Sequence, residues 1–205
     1  MDYLDNISRY IECEITTLNN LDLEKIASVL AILDNCLKEE KNVYVMGNGG
    51  SGSTASHMAS DFNRLFFERM DKKFKFICLN DNMPALMSVA NDEGYDEVFR
   101  YQLINSLTKD DVVIAISGSG NSKNIVNAIE YAKSVGALVI GFTGYDGGIL
   151  KKKADISIDT NICDMQITED IHMMLDHLMV STFCSIYGKK KFAFVKHEII
   201  GDVNE

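Results

Sequence analysis

The sequence predicts a three-layer α/β/α fold, in which a five-stranded parallel sheet lies between helices and is preceded by two N-terminal helices. Short apolar runs alternate with helical periodicities, polar or glycine-rich turns follow the runs, and 46% of the 205 residues are hydrophobic. A chain of this size and composition can bury one substantial core. We therefore expect a single domain over residues 1–205, with N-terminal helices in 1–40, a core in 41–187 and a tail in 188–205 that fits a short strand or an ordered extension.

Two amphipathic helices are expected before the sheet. Apolar residues recur there at spacings of three and four, as they do on one face of an α-helix. The residues are Leu4, Ile7, Ile11, Ile15, Leu18 and Leu21, followed by Ile26, Val29, Leu30, Leu33 and Leu37.

Five short apolar runs then read as strands, at residues 43–46, 74–79, 112–116, 138–142 and 156–158. Helical patterns separate and follow them, at 51–67, 83–90 with 95–106, 122–135, 148–153 and 166–187. Strands that alternate with helices form right-handed βαβ crossovers and a parallel sheet that is covered on both faces. We expect the five strands in a flavodoxin-like order.

The composition narrows the partners and the compartment. Twenty basic and thirty acidic side chains give a net charge of −10, without a basic stripe, so nucleic acid is not an expected partner. The absence of a basic leader and of a long apolar segment predicts a cytoplasmic protein that does not associate with membranes. An odd number of cysteines without CxxC spacing is expected to be reduced and in the core: Cys13, Cys36, Cys78, Cys163 and Cys184.

A glycine-rich loop, GNGGSGST at residues 47–54, follows the first predicted strand and begins a helix. Free backbone N–H groups and the positive end of the helix dipole therefore point to one place. The loop lacks the Gly-Lys-Ser/Thr of a Walker A motif and does not fit a dinucleotide-binding fingerprint. Taken alone, it fits a tight turn as well as a ligand cradle.

A second loop of the same kind, SGSGNS at residues 117–122, follows the third predicted strand and also begins a helix. Two such units place hydroxyls and amides at the carboxyl edge of one parallel sheet, where open α/β folds bind ligands. The pair is therefore a more specific signal of a polar ligand than either loop.

Ionisable side chains on two helices are candidates for chemistry. His57 and Asp61 stand four residues apart and share one helix face, which suits a shared metal ion or a coupled acid-base pair. The final predicted helix adds Glu169, His172, Asp176 and His177.

Five motifs, in this order and spacing, resemble the sugar isomerase (SIS) domain of the phosphoheptose isomerases. They are GNGGS followed by a helical histidine, ANDEGYDEVF, ISGSGNS, GFTGYDGG and EDIHMMLDH. The resemblance runs from about Lys41 to Tyr187, and the two N-terminal helices also suit the family. Single motifs such as TGYDGG occur in other SIS proteins and do not define the substrate.

The resemblance implies that the SGSGNS loop holds a sugar phosphate through Ser117, Gly118, Ser119 and Ser122. Hydroxyls, amides and a helix N-terminus can bind a phosphate dianion without lysine or arginine, which agrees with this role. The implied sugar-lining residues are Asn48, Gly49, Gly50, Ser51, Asp61, Asn91, Asp92 and Glu169. Asn91 and Asp92 fit a solvated turn as an alternative.

The implied reaction is an aldose-ketose isomerisation, in which a proton moves between C1 and C2 through an enediol-type intermediate. It requires a base at carbon, an acid or base at the oxygens, and stabilisation of an oxyanion, often by a metal. Asp61 and His177 are the implied catalytic residues. The implied zinc ligands are His57, Asp61, Glu169 and His177, whereas His172 fits packing and a role behind the ligands equally well.

Two positions depart from the family pattern, which commonly has Glu at 61 and Gln at 169. Asp61 shortens the reach of the carboxylate by one methylene, about 1.3 to 1.5 Å, which can disable a base unless the backbone or a water compensates. Glu169 adds a negative charge, which favours a divalent cation and, without one, raises the pKa of neighbouring acids.

The spacing on the final helix raises a geometric conflict. Eight residues of helix rise about 12 Å, whereas two ligands of one zinc ion each lie about 2 Å from it. Direct ligation by both Glu169 and His177 therefore requires that the helix begins after Glu169 or that subunits share the site. The resemblance implies a homotetramer with active sites at subunit interfaces.

The leading functional hypothesis is conversion of D-sedoheptulose 7-phosphate to D-glycero-D-manno-heptose 7-phosphate, the entry to nucleotide-activated heptose for lipopolysaccharide, capsule or S-layer glycans. One alternative is a non-catalytic SIS protein that binds the bacterial replication initiator, which the presence of His177 disfavours. Another is an isomerase of a different phosphosugar, because Asp61 and Glu169 could accompany a changed substrate.

Overall fold

The computed structural model describes residues 3–67 and 71–187, so the tail predicted at 188–205 lies outside the described residues. The helices are α1 (Tyr3–Asn19), α2 (Leu23–Glu39), α3 (Gly49–Asn63), α4 (Met83–Asp92), α5 (Arg100–Ile104), α6 (Lys123–Val135), α7 (Gly148–Lys153) and α8 (Met165–Tyr187), with a 3-10 turn at Tyr95–Glu97. The strands are β1 (Asn42–Gly47), β2 (Phe66–Phe67), β3 (Lys72–Lys73), β4 (Lys75–Cys78), β5 (Val112–Ser117), β6 (Leu138–Thr143) and β7 (Ile156–Asp159).

The central sheet has five parallel strands in the order β4-β1-β5-β6-β7. This is the flavodoxin-like order, and it confirms the predicted fold class. Gly47 at the end of β1 lies opposite Ile116, and Ser117 at the end of β5 lies opposite Thr143. The two glycine-rich loops therefore leave adjacent strands at the same edge of the sheet.

The two faces of the sheet carry separate apolar cores. Along β1, Val43 and Val45 join one core while Tyr44 and Met46 join the other, as the alternation of a pleated strand requires. Buried residues of α2, α3 and α8 pack on the first face, and those of α5, α6 and α7 pack on the second. The result is the predicted three-layer arrangement.

The helix after the first loop is shorter than predicted. It ends at Asn63 rather than at residue 67, and Phe66–Phe67 instead pair antiparallel with Lys72–Lys73. Adjacent aromatic residues favour a strand, but their spacing also continued the apolar pattern of the helix. The prediction was therefore wrong at this end, and it missed the small second sheet.

All five cysteines are free, as predicted. Cys36, Cys78 and Cys184 are buried, whereas Cys13 and Cys163 are exposed. The expectation of a core position was therefore wrong for these two, because α1 and the segment before α8 turn them outward.

The apolar stripe of α1 faces outward in the single chain. Leu4, Ile7, Ile11 and Ile15 are 77%, 54%, 50% and 53% exposed, and Thr17 is the buried residue of this helix. Within residues 3–67 and 71–187, no helix is both long and apolar enough to cross a membrane. The stripe is thus an apolar surface that the described part of the chain leaves largely uncovered.

Candidate active site

The first loop is fixed at its beginning by contacts that leave no room for a side chain. A Cβ atom on Gly47 would lie 2.5 Å from the backbone of Ser51. The backbone N–H of Gly47 donates to Asn80 Oδ1 at 3.2 Å, and Asn80 Nδ2 donates to the Gly47 carbonyl at 2.7 Å. This pairing attaches the loop to the segment that follows β4.

Asn48 joins three parts of the site. Its Nδ2 donates to Asn124 Oδ1 at 2.9 Å, while its Oδ1 accepts from Asn124 Nδ2 at 2.9 Å and from the Tyr95 hydroxyl at 2.8 Å. The oxygen therefore has both lone pairs engaged. Asn48 was predicted to line the sugar, and the structure also makes it the anchor between the first loop, α6 and the 3-10 turn.

The second loop is braced by the TGYDGG segment. Gly120 has a φ of +64°, and a Cβ atom there would lie 2.0 Å from the carbonyl oxygen of Gly147. Gly144 N donates to the Gly118 carbonyl at 2.8 Å. Directly after the motif, Leu150 N donates to the Gly120 carbonyl at 2.9 Å, and Ile149 N donates to Asn121 Oδ1 at 3.1 Å. The motif shared among SIS proteins thus has a structural role here, which is to hold the SGSGNS loop in place.

The serines of this loop keep hydroxyl hydrogens available. Ser117 Oγ accepts from Gly120 N at 3.2 Å, and Ser119 Oγ accepts from Asn121 N at 3.3 Å. Ser122 is the N-cap of α6 but makes no side-chain cap bond. A serine hydroxyl can donate as well as accept, so the loop offers donors beside the positive end of a helix.

A cavity of about 260 Å³ lies between the two loops. Most of the predicted substrate-binding residues line it: Asn48, Gly49, Gly50, Ser51, Ser117, Gly118, Ser119, Ser122 and Glu169. The structure therefore brings together the residues that were assigned to the phosphate and to the sugar.

Asn91 and Asp92 lie outside this cavity. They form the exposed end of α4, where Asn91 Nδ2 donates to Asp92 Oδ1 at 2.7 Å. In a single chain they match the solvated alternative, with a helix end in place of a turn. Their sugar-lining role remains a prediction.

A cluster of two histidines and two aspartates joins α3 to α8. One side-chain ligand atom from each of His57, Asp61, Asp176 and His177 lies within 4.8 Å of all the others. His57 Nε2 is 3.0 Å from His177 Nε2, 3.6 Å from Asp61 Oδ2 and 3.9 Å from Asp176 Oδ2. We call these four residues the His/Asp cluster. Imidazole and carboxylate are common metal ligands, so the cluster could hold a metal ion.

Asp176 was predicted as one of the ionisable candidates on the final helix, but it was not among the implied zinc ligands. It is fully buried, and within the part of the chain that the structure describes neither carboxylate oxygen has a hydrogen-bond partner. Burial, followed by the charge of Asp61, raises its pKa to about 7, while Arg64 acts in the opposite direction. The sequence signal for Asp176 was its position directly before His177. The sequence pattern did not indicate that its side chain lies toward α3.

Glu169 lies away from the His/Asp cluster. Its carboxylate covers Gly50, where a Cβ atom would approach Glu169 Oε2 to 2.2 Å. Helix α8 is continuous from Met165 to Tyr187, so the alternative in which the helix begins after Glu169 was wrong. The rise of about 12 Å over eight residues separates Glu169 from His177 within one chain.

His172 occupies a core position. It is fully buried, and its ring centroid is 5.8 Å from that of Phe142. Neither ring nitrogen has a hydrogen-bond partner among residues 3–67 and 71–187. Burial lowers its pKa to about 4. His172 is neither a lining residue of the cavity nor a member of the His/Asp cluster. Its position matches the alternative in which it is a packing residue.

The buried imidazole should make folding sensitive to acid. Because the folded-state pKa of His172 is about 4 against an ordinary 6.5, the unfolded chain binds the proton first as the pH falls. Wild-type stability should therefore decrease by about 2 kcal/mol relative to a His172→Leu variant between pH 7 and pH 5. Urea denaturation of both proteins across this range, after treatment with a chelator, measures the difference.

A Met179→Leu variant is the matched control, because it changes a buried neutral residue of the same helix. Its stability should follow the wild-type pH dependence. Asp176 also titrates, but it is present in all three proteins and cancels in the comparison. Parallel curves for wild type and His172→Leu would show that His172 gains its proton at an ordinary pKa in the folded state.

Comparison with known proteins assigns the chain to a family. A family model described as "SIS domain" matches residues 2–144. A phosphoheptose isomerase of Clostridium acetobutylicum is 36% identical over 171 residues, which are 83% of this chain and 84% of that protein. Solved phosphoheptose isomerases of Francisella tularensis and Neisseria gonorrhoeae superpose with TM-scores of 0.80 and 0.79, at 29% and 26% identity, over 88% of this chain and 97% and 96% of theirs. Together with the paired loops and the His/Asp cluster, these matches confirm the resemblance, and the chain belongs to the phosphoheptose isomerases of the SIS-domain family.

Proposed function

We propose that the protein is an aldose-ketose isomerase that converts D-sedoheptulose 7-phosphate to D-glycero-D-manno-heptose 7-phosphate. The observation that carries the proposal is that α3 begins at the cavity between the two loops and, further along, contributes His57 and Asp61 to the His/Asp cluster. The names of the related proteins support the same reaction. The product would enter nucleotide-activated heptose synthesis for lipopolysaccharide, capsule or S-layer glycans.

The phosphate of the substrate would bind at the SGSGNS loop. Ser117, Ser119 and Ser122 supply hydroxyls at the N-terminus of α6, a helix of 13 residues. Among residues 3–67 and 71–187, those that line this cavity include no lysine or arginine. Hydrogen bonds and the helix dipole would therefore bind the phosphate dianion. Binding without a cationic side chain would also allow the phosphorylated product to dissociate.

Proton transfer would fall to Asp61 and His177. Asp61 is buried, and its Oδ1 lies 3.1 Å from Arg64 Nη2. His177 is exposed. One group would remove the proton at carbon while the other moves a proton between the C1 and C2 oxygens. The short carboxylate of Asp61 still reaches the His/Asp cluster, because α3 packs directly against α8.

We further infer that the site holds zinc in the assembled enzyme. The fit rests on two imidazole nitrogens that face each other at 3.0 Å and on the buried carboxylate of Asp176, which has no hydrogen-bond partner among the described residues. His57, Asp61 and His177 would hold the ion. When bound, zinc would polarise the substrate carbonyl and stabilise negative charge on its oxygen.

A homotetramer with active sites at subunit interfaces is part of the proposal. The exposed stripe of α1 supports assembly, and so does a second apolar surface on α4, where Met83 and Met87 are 56% and 67% exposed. These methionines line a cavity with Asn48 and Tyr95, directly beside the sugar-lining loop. A partner seated there would cover the substrate end of the site.

Incubation of the purified protein with sedoheptulose 7-phosphate and zinc should produce the heptose 7-phosphate, detected by NMR or mass-resolved chromatography. Fructose 6-phosphate and other ketose phosphates are the comparison substrates. Turnover of one of these alone would reject the substrate and retain the reaction class. Absence of all turnover, with binding of the replication initiator in a pull-down, would instead support the non-catalytic alternative.

A further inference from the structure

We propose that Asp176, and not Glu169, completes the metal site together with His57, Asp61 and His177. This inference rests on the proposed function only in assuming that the site binds a divalent cation. It changes the ligand set that the resemblance implies, and it leaves Glu169 to contact the sugar.

The first argument is the condition of the Asp176 carboxylate. It is fully buried, and neither oxygen has a hydrogen-bond partner among the described residues. The guanidinium of Arg64 forms its ion pair with Asp61, at 3.1 Å. A buried ionised carboxylate without a partner is strongly unfavourable, and buried charges in proteins are paired or coordinate metals. A cation bound at the His/Asp cluster would supply the missing partner.

The second argument is geometric. Asp176 Oδ2 lies 3.9 Å from His57 Nε2, and all four residues of the His/Asp cluster can present ligand atoms within 4.8 Å of one another. Glu169 is two helical turns away on the same continuous helix, with its carboxylate over Gly50. One chain therefore contains four converging candidate ligands without Glu169. A metal bound to these four does not require Glu169 and His177, two turns apart on one helix, to reach the same ion.

The third argument is charge. Two carboxylates and two neutral imidazoles carry a charge of −2 when both aspartates are ionised, which balances a divalent cation. The shorter Asp61 would also be compensated, because a second carboxylate stands in the same cluster. Asp61 and Glu169, the two departures from the family pattern, thus have different roles. Asp61 acts with Asp176 at the metal, and Glu169 acts in the sugar cavity.

Glu169 has a site of its own. It lines the cavity between the loops together with Ser51 and Ser119. Its carboxylate packs against Gly50 and occupies the space that a side chain at position 50 would need, since a Cβ atom on Gly50 would collide with Glu169. A carboxylate in this position can accept hydrogen bonds from sugar hydroxyls, so its loss should affect substrate binding more than metal binding.

Zinc affinity of Asp176→Asn and Glu169→Gln tests the assignment, because both substitutions convert an acid to its amide on the same helix. The metal-free proteins are titrated with zinc in competition with a chromophoric chelator, and with cobalt(II) to record its visible spectrum. Asp176→Asn should weaken zinc binding by at least about tenfold and alter the cobalt spectrum. Glu169→Gln should retain zinc affinity within about threefold and raise the KM for the sugar phosphate.

Several outcomes would overturn the assignment. These are a Glu169→Gln variant that loses zinc while Asp176→Asn retains it, unchanged zinc affinity in both, and a wild-type protein that binds no zinc. Thermal unfolding of the metal-free variants checks the fold, and Asp176→Leu is a second variant that keeps the core apolar. If sedoheptulose 7-phosphate is not isomerised but Asp176→Asn still loses zinc, the proposed function fails while this assignment stands.

Discussion

Replacement of His177 by glutamine should lower kcat/KM for sedoheptulose 7-phosphate by about a thousandfold. Glutamine keeps hydrogen-bonding atoms but cannot exchange a proton near neutral pH, and general acid-base catalysis contributes about 10² to 10⁴ in rate. The substitution also removes a nitrogen that lies 3.0 Å from His57 Nε2. Because His177 is exposed, the fold should tolerate the change. His177 is also a proposed zinc ligand, so initial rates are measured at zinc concentrations that saturate the variant, which separates lost metal from lost proton transfer.

His172→Leu is the matched control for this experiment, since His172 is the other histidine of α8 and belongs neither to the cavity lining nor to the His/Asp cluster. Under conditions in which it is folded, it should retain activity within about threefold of wild type. A His177→Gln enzyme with a tenth or more of wild-type activity would show that another group transfers the proton.

The sequence could predict the sheet because each strand run is short, apolar and followed by a turn. Hydrophobic periodicity reports which elements face a core, and a chain that alternates strands and helices has few topologies available. The positions of the two loops followed from this topology, since the carboxyl ends of parallel strands meet at one edge. Their connection through Asn48 and Asn124 could not be predicted, because those residues are 76 positions apart.

Local pattern was insufficient where a tertiary contact decides the outcome. Phe66 and Phe67 continue an apolar helical pattern, but their pairing with Lys72 and Lys73 makes them a strand. Asp176 follows three apolar residues, Met173 to Leu175, and its convergence with His57 depends on how α3 packs against α8. Helix geometry did identify the conflict between Glu169 and His177, but spacing alone could not show that Asp176 converges with His57 and Asp61.

Assembly should fail when charge is placed on the outward stripe of α1. An Ile7→Glu/Ile11→Glu variant is expected to form smaller species than the proposed tetramer, measured by light scattering coupled to size-exclusion chromatography. Burial of each isoleucine at an interface contributes about 1.5 to 3 kcal/mol, and an unpaired buried carboxylate reverses that contribution. Both residues are about half exposed in the single chain, so the fold itself should persist.

Thr16→Glu is the control, because Thr16 is exposed and its substitution adds charge to the polar side of the same helix. The disassembled variant should lose at least about tenfold in kcat/KM, since the surface around Met83 and Met87 beside the sugar loop would no longer be covered. Its zinc affinity should remain that of wild type, because the whole His/Asp cluster belongs to one chain. A fully active monomer would contradict active sites at subunit interfaces, whereas a variant that loses zinc on disassembly would show that the metal site needs a second subunit.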